Sequence, residues 1–358
     1  MLYRRDLLKA AALLASPAAS QPVAIRQPNL LFIVASEWPA GSNSPNLDQL
    51  AKQGILFERP YSAYPLGGPA RAALITGRFP HACGVTRDNV RLPLDQPSIA
   101  AELRSSGYQT SFIGEWGLDG PDKSAAVPPG PRRHGFDTWA PGSPESAAID
   151  FLKQDRRNPF FLFLSLPEGA TPDSDVGSCM RALDEQRLAT DTIVVFTSAY
   201  GANANLPFEG SVRVPLIIRY PRQLPGGRSI DTLISSVDIM PTLLGLCAVE
   251  IPRNVQGRNL APWITGGRGE RPESIYSTGK LGSPGEWRMV VRALDKLVVD
   301  RELNVTHLYN LGLDPTEMDN LAHDLAETVN RDGLEALLKE WMRHTGDRMD
   351  PSGLQKRG

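Results

Sequence analysis

The segment YPLGGPARAALITGRFP, residues 64–80, resembles a catalytic loop that runs into a helix. Gly67-Gly68 allow a close approach of the backbone, and Pro69 suits the first turn of a helix. Gly and Ala nevertheless stand where a reacting side chain would be expected, and Arg71 is the conspicuous polar residue. The segment therefore has the features of an active-site loop without an obvious nucleophile.

Two carboxylates follow apolar runs that have the character of buried strands. Glu37 comes after the run 29–35, and Glu115 comes after the run 109–113. In open α/β sheets chemistry gathers at the carboxyl ends of the strands, where Tyr200 follows a third apolar run. Two neighbouring carboxylates could share a proton or hold a cation.

The remaining chemical candidates carry weaker signals. His81 lies two residues from Cys83 and could activate that thiol, but such spacing on a turn does not aim the two side chains reliably. His134 is interpreted as a turn residue. The three cysteines are widely spaced and without CxxC pairing, which argues against a zinc ribbon or a disulfide scaffold.

Alternating strand and helix patterns predict the architecture that positions these residues. The fold class is α/β, a doubly wound and mostly parallel sheet. The predicted strands are 29–35, 109–113, 160–166, 192–197 and 214–218. The predicted helices are 46–53, 98–106, 143–154, 176–186 and 235–246.

The pattern of predicted secondary structure changes after about Pro272. Short β-prone segments at 288–293, 296–300 and 306–309 predict a small antiparallel sheet, and a helix at 329–344 closes the chain. We therefore predict an α/β domain at 21–272 and a C-terminal α+β subdomain at 273–358.

The amino terminus resembles an export signal. Arg4-Arg5 precede the apolar run 10–15, and the small residues 18–20 suit cleavage. Residues 1–20 are predicted to be a twin-arginine-type signal peptide, the alternative being a basic amphipathic helix. The apolar run is too short to span a bilayer, so we expect a periplasmic or extracellular protein that leaves the membrane after cleavage.

The charge balance bears on possible partners. Lys and Arg number 38 against 40 Asp and Glu, a formal net charge of −2, and no basic-aromatic stripe is visible. Nucleic acid is therefore not an expected partner.

Ordered segments along the whole chain resemble the sulfatase family of the alkaline-phosphatase-like superfamily. They are PNLLFIVASE from Pro28, LGGPARAALITGRFPHACGV from Leu66, SGYQTSFIGEWGL from Ser106, TIVVFTSAYG from Thr192 and HLYNLGLDPTEMDNL from His307. The resemblance implies a sulfatase fold. It also implies a formylglycine nucleophile made from Cys or Ser and a divalent cation, usually calcium, on the sulfate oxygens.

Several positions depart from that implied set. Gly67 matches the nucleophile position and Ala70 the following serine, and neither can become formylglycine. The positions that match metal ligands are Ser36, Glu37, Ala199 and Tyr200. Of these four only Glu37 brings a carboxylate, whereas a hard cation needs several oxygen ligands. No cofactor is therefore expected.

The implied substrate contacts change as well. The lysine of the family's Gly-Lys-Trp matches Glu115, the histidine two residues later matches Gly117, and Arg71 remains. A carboxylate at 115 would repel sulfate, and Arg71 is predicted to pair with Glu37 or Glu115. The histidine implied after the strand 160–166 is also absent, with Glu168 in that area.

Two functions from different classes follow. The first is a catalytically inactive, exported family member, a pseudoenzyme that binds a small molecule or a protein, or that has an accessory role beside a related active enzyme. The second is an active hydrolase of sulfate or phosphate esters that uses Glu37, Glu115 or Tyr200, and calcium is expected only in that case.

Overall fold

The structure is a computed structural model that describes residues 27–38, 43–121, 130–140, 144–269 and 271–348. The predicted signal segment, residues 1–20, lies outside the described residues. Among the residues described, no helix is both long and apolar enough to cross a membrane.

Strands and helices alternate through most of the described chain. The strands are β1 (Asn29–Glu37), β2 (Ile55–Tyr61), β3 (Gln109–Gly114), β4 (Thr138–Ala140), β5 (Phe160–Leu166), β6 (Thr192–Tyr200), β7 (Leu216–Arg219), β8 (Arg228–Ser235), β9 (Ser274–Gly279), β10 (Trp287–Arg292), β11 (Asp295–Val299) and β12 (Val305–Asn310). The helices are α1 (Pro45–Gln53), α2 (Gly67–Thr76), α3 (Pro80–Cys83), α4 (Ile99–Ser105), α5 (Pro144–Leu152), α6 (Pro172–Glu185), α7 (Glu209–Val212), α8 (Ile239–Leu246), α9 (Ala261–Gly266) and α10 (Thr328–Thr345).

The larger sheet confirms the predicted α/β class. Its order in the described part of the chain is β4-β3-β5-β1-β6-β7-β2-β8. The central strand β1 pairs in parallel with β5 and β6, and β3 continues the parallel run beyond β5. The carboxyl ends of these four strands therefore meet at one edge, where the candidate residues of β1, β3 and β6 were expected.

The central strands are buried along almost their whole length because both faces of the sheet are covered. Leu30 and Phe32 of β1 pack in the core beneath α2, α4, α8 and α9, whereas Leu31 and Ile33 pack beneath α1, α5 and α6. Alternate side chains of a strand point to opposite faces, so one apolar run supplies two cores. The doubly wound arrangement follows.

The C-terminal part forms the predicted antiparallel sheet and closing helix. Strands pair in the order β12-β11-β10-β9, and the sheet begins at Ser274. Leu334 and Leu338 of α10 are buried against Val290 and Leu297 of the sheet. The helical spacing of the leucines predicted this buried face of the helix correctly.

A buried ion cluster joins the small sheet to the large one. Lys296 of β11 is 0% exposed, and its Nζ lies 3.1 Å from Glu209 Oε1 and 2.6 Å from Glu317 Oε1. The Tyr61 hydroxyl at the end of β2 donates to Glu209 Oε2 at 3.0 Å. A buried charge persists only when it is paired, so this cluster ties the two sheets together.

The sequence prediction left some details of the larger sheet open. The run 214–218 was predicted as a strand of a mostly parallel sheet without a direction of its own, and β7 runs antiparallel to both β6 and β2. The strands β2, β4 and β8 were not among those predicted from apolar runs, because polar residues interrupt each of the two longer strands and β4 has only three residues.

Candidate functional site

The ends of β1 and β6 hold the four positions that match metal ligands. Glu37 faces Tyr200 across the β1–β6 ladder, and Ser36 Oγ donates to the Leu166 carbonyl at 3.0 Å. Ala199 is 2% exposed and Tyr200 is 9% exposed. The structure therefore brings these positions together at the carboxyl edge of the sheet.

Apolar contact fills part of this edge. Ala70 of α2 packs with Ala199 and Tyr200 in a small hydrophobic cluster. In the described residues no group of three or more His, Cys, Asp or Glu side chains is placed to hold a metal ion. Calcium takes six to eight oxygen ligands, mostly from carboxylates, so these residues do not fit the cation that the family implies.

The amino end of α2 carries a carboxylate from a distant part of the chain. The Gly68 amide donates to Asp88 Oδ1 at 2.7 Å. A carboxylate here satisfies a free amide and complements the positive end of the helix dipole. A Cβ at Gly67 would lie 3.6 Å from the same oxygen, which is an ordinary contact. Position 67, which matches the family's nucleophile, therefore lies next to a negatively charged carboxylate.

Arg71 is buried and its hydrogen bonding is internal. It is 4% exposed, its Nη1 donates to the Trp116 carbonyl at 2.8 Å, and its Nη2 lies 3.9 Å from Glu115 Oε2. The predicted pairing of Arg71 with Glu115 is thus present. Burial lowers the pKa of Arg71, and the charges of Glu115, Asp88 and Tyr200 oppose that shift.

Gly117 makes room for this arrangement. It has a φ of +67°, and a Cβ there would lie 2.5 Å from Arg71 Nη1. Any other residue would combine a left-handed backbone with a clash against the guanidinium. Glu115, Gly117 and Arg71 thus form one structural unit.

Negative charge surrounds the strand ends. Burial raises the pKa of Tyr200, and Glu168, Glu37, Asp88 and Glu115 raise it further. Glu115 is 57% exposed, so it faces solvent at the mouth of the site. Concentrated charge of one sign repels a ligand of the same sign, here an anion such as sulfate.

Glu37 and Glu115 were predicted to lie near one another. Strand β5 separates β1 from β3, and neighbouring strands are about 4.8 Å apart, so the two backbones lie about 10 Å apart. Sharing of a proton or cation between these two carboxylates stays a prediction.

A cavity of about 330 Å³ opens beside the ends of β3 and β5. Glu115, Asp119, Trp139 and Pro167 contribute to its wall, and the described residues that line it include no Lys, Arg or His. Its chemistry is acidic and aromatic.

The weaker candidates have structural surroundings. Burial raises the pKa of the Cys83 thiol to about 11, which is opposite to activation by His81. His134 is 3% exposed and its ring lies against Trp116, with centroids 5.4 Å apart. Glu168 is exposed just beyond β5.

Asp88 was missed by sequence reasoning. It follows neither a strand nor a recognisable motif, and it lies twenty positions after Gly68. A charged residue in a polar loop carries no local signal of a distant helix end, so only the folded chain could identify it.

Comparison with known proteins relates this chain to a protein family. The sulfatase family profile matches residues 35–161, and the profile described as N-sulphoglucosamine sulphohydrolase, C-terminal, matches residues 203–344. The chain belongs to the sulfatase family.

Individual relatives are distant. The ulvan-active sulfatase of Formosa agariphila is 26% identical over 66% of this chain and 65% of its own length. The N-acetylgalactosamine-6-sulfatase of Canis lupus familiaris is 27% identical over 76% of this chain and 72% of its own length. A solved structure in complex with its substrate D-glucosamine-2-N,6-O-disulfate has a TM-score of 0.80 at 18% identity, covering 93% of this chain and 100% of that one. The chain thus spans about two thirds of the first of these relatives, and the structural likeness establishes the fold alone.

Proposed function

We propose that this chain is an exported, non-hydrolysing member of the sulfatase family that acts by binding a small molecule or a protein. The observation that carries the proposal is the internal use of Arg71, whose guanidinium is held by the Trp116 carbonyl and Glu115. A guanidinium that is 4% exposed, and that already lies beside a carboxylate, offers little to a sulfate oxygen.

The positions around Arg71 support the same function. A formylglycine hydrate needs a side chain at 67, and a glycine supplies none. A hydrophobic cluster lies at the strand ends, where a bound cation would need oxygen ligands. It consists of Ala70, Ala199 and Tyr200. Nucleophile and cation would both have to be replaced before hydrolysis could proceed.

The sign of the charge supports a ligand that is not an anion. Asp88 lies at the amino end of α2, and Glu115 lies at the mouth of the site. Glu37 and Glu168 add to the negative electrostatic field at Tyr200. A sulfate or phosphate ester would approach these carboxylates at a cost in free energy. Nucleic acid is disfavoured for the same reason.

Hydrolysis of a substrate panel tests the proposal. Aryl sulfate, phosphate monoester and phosphate diester substrates are offered to the purified protein with and without calcium, magnesium or manganese. Wild type, Arg71→Ala and the exposed-arginine control Arg104→Ala are compared; Arg104 is 57% exposed. We expect the same background rate for all three. Turnover that is lost in Arg71→Ala and kept in Arg104→Ala would overturn the proposal.

A second function has one observation in its favour. The phenol of Tyr200 lies in the electrostatic field of Glu37 and Glu115, so all three groups belong to the same edge of the sheet. Such groups could move a proton in an unusual hydrolase. That function predicts metal-independent or calcium-dependent turnover that Glu37→Gln and Tyr200→Phe each abolish, in the same assay.

Export has its own test. Residues 1–20 are fused to a fluorescent protein that folds before transport, beside a version with Arg4→Lys and Arg5→Lys. We expect periplasmic fluorescence that the double substitution removes, since the twin-arginine pathway carries folded cargo and reads the paired arginines. Retention of both fusions in the cytoplasm would contradict export.

A further inference from the structure

The connection between β12 and the first turn of α10 exposes large apolar side chains. Leu313 is 89% exposed, Met318 84%, Leu325 85% and Val329 86%. In the rest of the described chain no large apolar side chain is more than 55% exposed. Four large apolar side chains that are almost fully exposed in one stretch of the chain make this stretch a candidate interaction surface.

The segment is held in place by its own hydrogen bonds. Asp314 Oδ2 accepts from the Asp319 amide at 2.8 Å, and Asn320 Oδ1 accepts from the Leu308 amide of β12 at 3.0 Å. Farther along, Asp324 Oδ1 accepts from the Ala326 amide at 2.8 Å just before α10 begins. The exposed side chains therefore project from folded backbone that is attached to the edge of the small sheet.

The same segment is strongly acidic. Residues 311–335 contain seven carboxylates and one Arg, a formal difference of 1 − 7 = −6, against −2 for the whole chain. The carboxylates are Asp314, Glu317, Asp319, Asp324, Glu327, Asp332 and Glu335. Glu317 pairs with Lys296, Arg331 with Asp332 and Lys339 with Glu335. Within the described residues, Asp314, Asp319, Asp324 and Glu327 have no ion pair, so the charge of four of the seven carboxylates is not compensated by a nearby cation.

We propose that residues 311–335, here called the acidic-apolar segment, form a docking surface for a basic amphipathic segment of another protein. Apolar side chains of the partner cover Leu313, Met318, Leu325 and Val329, and its Lys or Arg side chains face the surrounding carboxylates. Apolar burial supplies affinity, whereas charge complementarity supplies orientation and the rate of association. This surface is separate from the strand ends, so the inference does not depend on the proposed function.

The negative charge of the acidic-apolar segment argues against two other occupants of this surface, a second copy of the chain and an anionic membrane. In a symmetric dimer the same patch meets itself, which would bring two acidic surfaces together. The cytoplasmic face of a membrane and other anionic bilayers repel a segment of this charge. A basic partner satisfies both the apolar and the charged features.

Peptide binding tests the inference on the purified full-length chain. Three fluorescent peptides are titrated by anisotropy: an amphipathic Leu/Lys peptide, a Leu/Glu peptide of the same pattern, and a Ser/Lys peptide of the same charge. We expect binding of the Leu/Lys peptide alone, weakening as salt rises. The variant Leu325→Ser/Val329→Ser should lower that affinity by about tenfold or more, because each buried apolar side chain contributes about 1.5–3 kcal/mol.

The matched control is Leu94→Ser, an exposed leucine elsewhere on the surface. It should bind the Leu/Lys peptide as wild type does. Equal binding of the Ser/Lys peptide, or equal affinity of wild type and the double variant, would overturn the inference. Two further results would also overturn it. One is self-association in sedimentation that the double variant abolishes, and the other is tighter binding to phosphatidylglycerol vesicles than to the peptide.

Discussion

Replacing Gly117 by alanine tests the unit formed by Arg71, Glu115 and Gly117. Residue 117 has a left-handed backbone, which costs a non-glycine residue about 1–2 kcal/mol. The new Cβ would also lie 2.5 Å from Arg71 Nη1, so the guanidinium must leave the Trp116 carbonyl. A lost hydrogen bond from a charged donor costs about 1.5–3 kcal/mol. We expect Gly117→Ala to lower the free energy of unfolding by about 2.5–5 kcal/mol, the sum of the two contributions.

The matched control is Gly84→Ala. Gly84 has a φ of +79°, but a Cβ there meets no atom within 4 Å. It should therefore cost only the backbone strain of about 1–2 kcal/mol. Urea denaturation of both variants, in wild type and in Arg71→Met, measures the difference. The excess cost of Gly117→Ala should vanish in the Arg71→Met background, because the two residues are in contact. Equal costs for the two alanine variants in wild type would refute the reasoning.

Two further predictions concern buried charge. Lys296→Met leaves Glu317, whose side chain is 4% exposed, without its cation and should lower the free energy of unfolding by about 3–5 kcal/mol. Lys339→Met removes a lysine that is 56% exposed and should cost less than about 1 kcal/mol. Similar shifts in the urea midpoints of the two variants would contradict this. Burial, and then the charge of Glu145, raise the pKa of Asp175 to about 6, so the folded state loses stability as the pH rises from about 4 to about 6. Asp175→Asn should therefore raise the urea midpoint at pH 7 and lose that advantage near pH 4; a gain that is the same at both pH values would argue against a buried ionised Asp175.

Most of the large sheet was predictable from local patterns. The strands β1, β5 and β6 each carry a continuous apolar run, and every residue of the three but Glu37 is buried, as in a strand covered on both faces. The direction of β7 was not predictable in this way. A four-residue apolar strand is compatible with either direction, and its pairing with β6 and β2 depends on the path of the chain between them.

The candidate site was predictable in composition but not in geometry. The absence of a nucleophile at 67 and the reversed charge at 115 are visible in the residues themselves. The contact of Asp88 with the start of α2 joins positions twenty residues apart through a loop with no periodic pattern. The placement of Arg71 over Gly117 likewise required two segments to meet.

The sequence by itself determined the layered α/β architecture, the positions of its main strands along the chain, the closing helix and the residue types at the strand ends. It did so because burial on one or two faces imposes a periodicity that can be recognised locally. The tertiary structure alone decided which charges meet: Arg71 with Glu115, Asp88 with α2, and Lys296 with two carboxylates. It also decided which apolar groups of the acidic-apolar segment stay exposed. Those outcomes depend on distances between segments remote in sequence, and no local pattern carries that information.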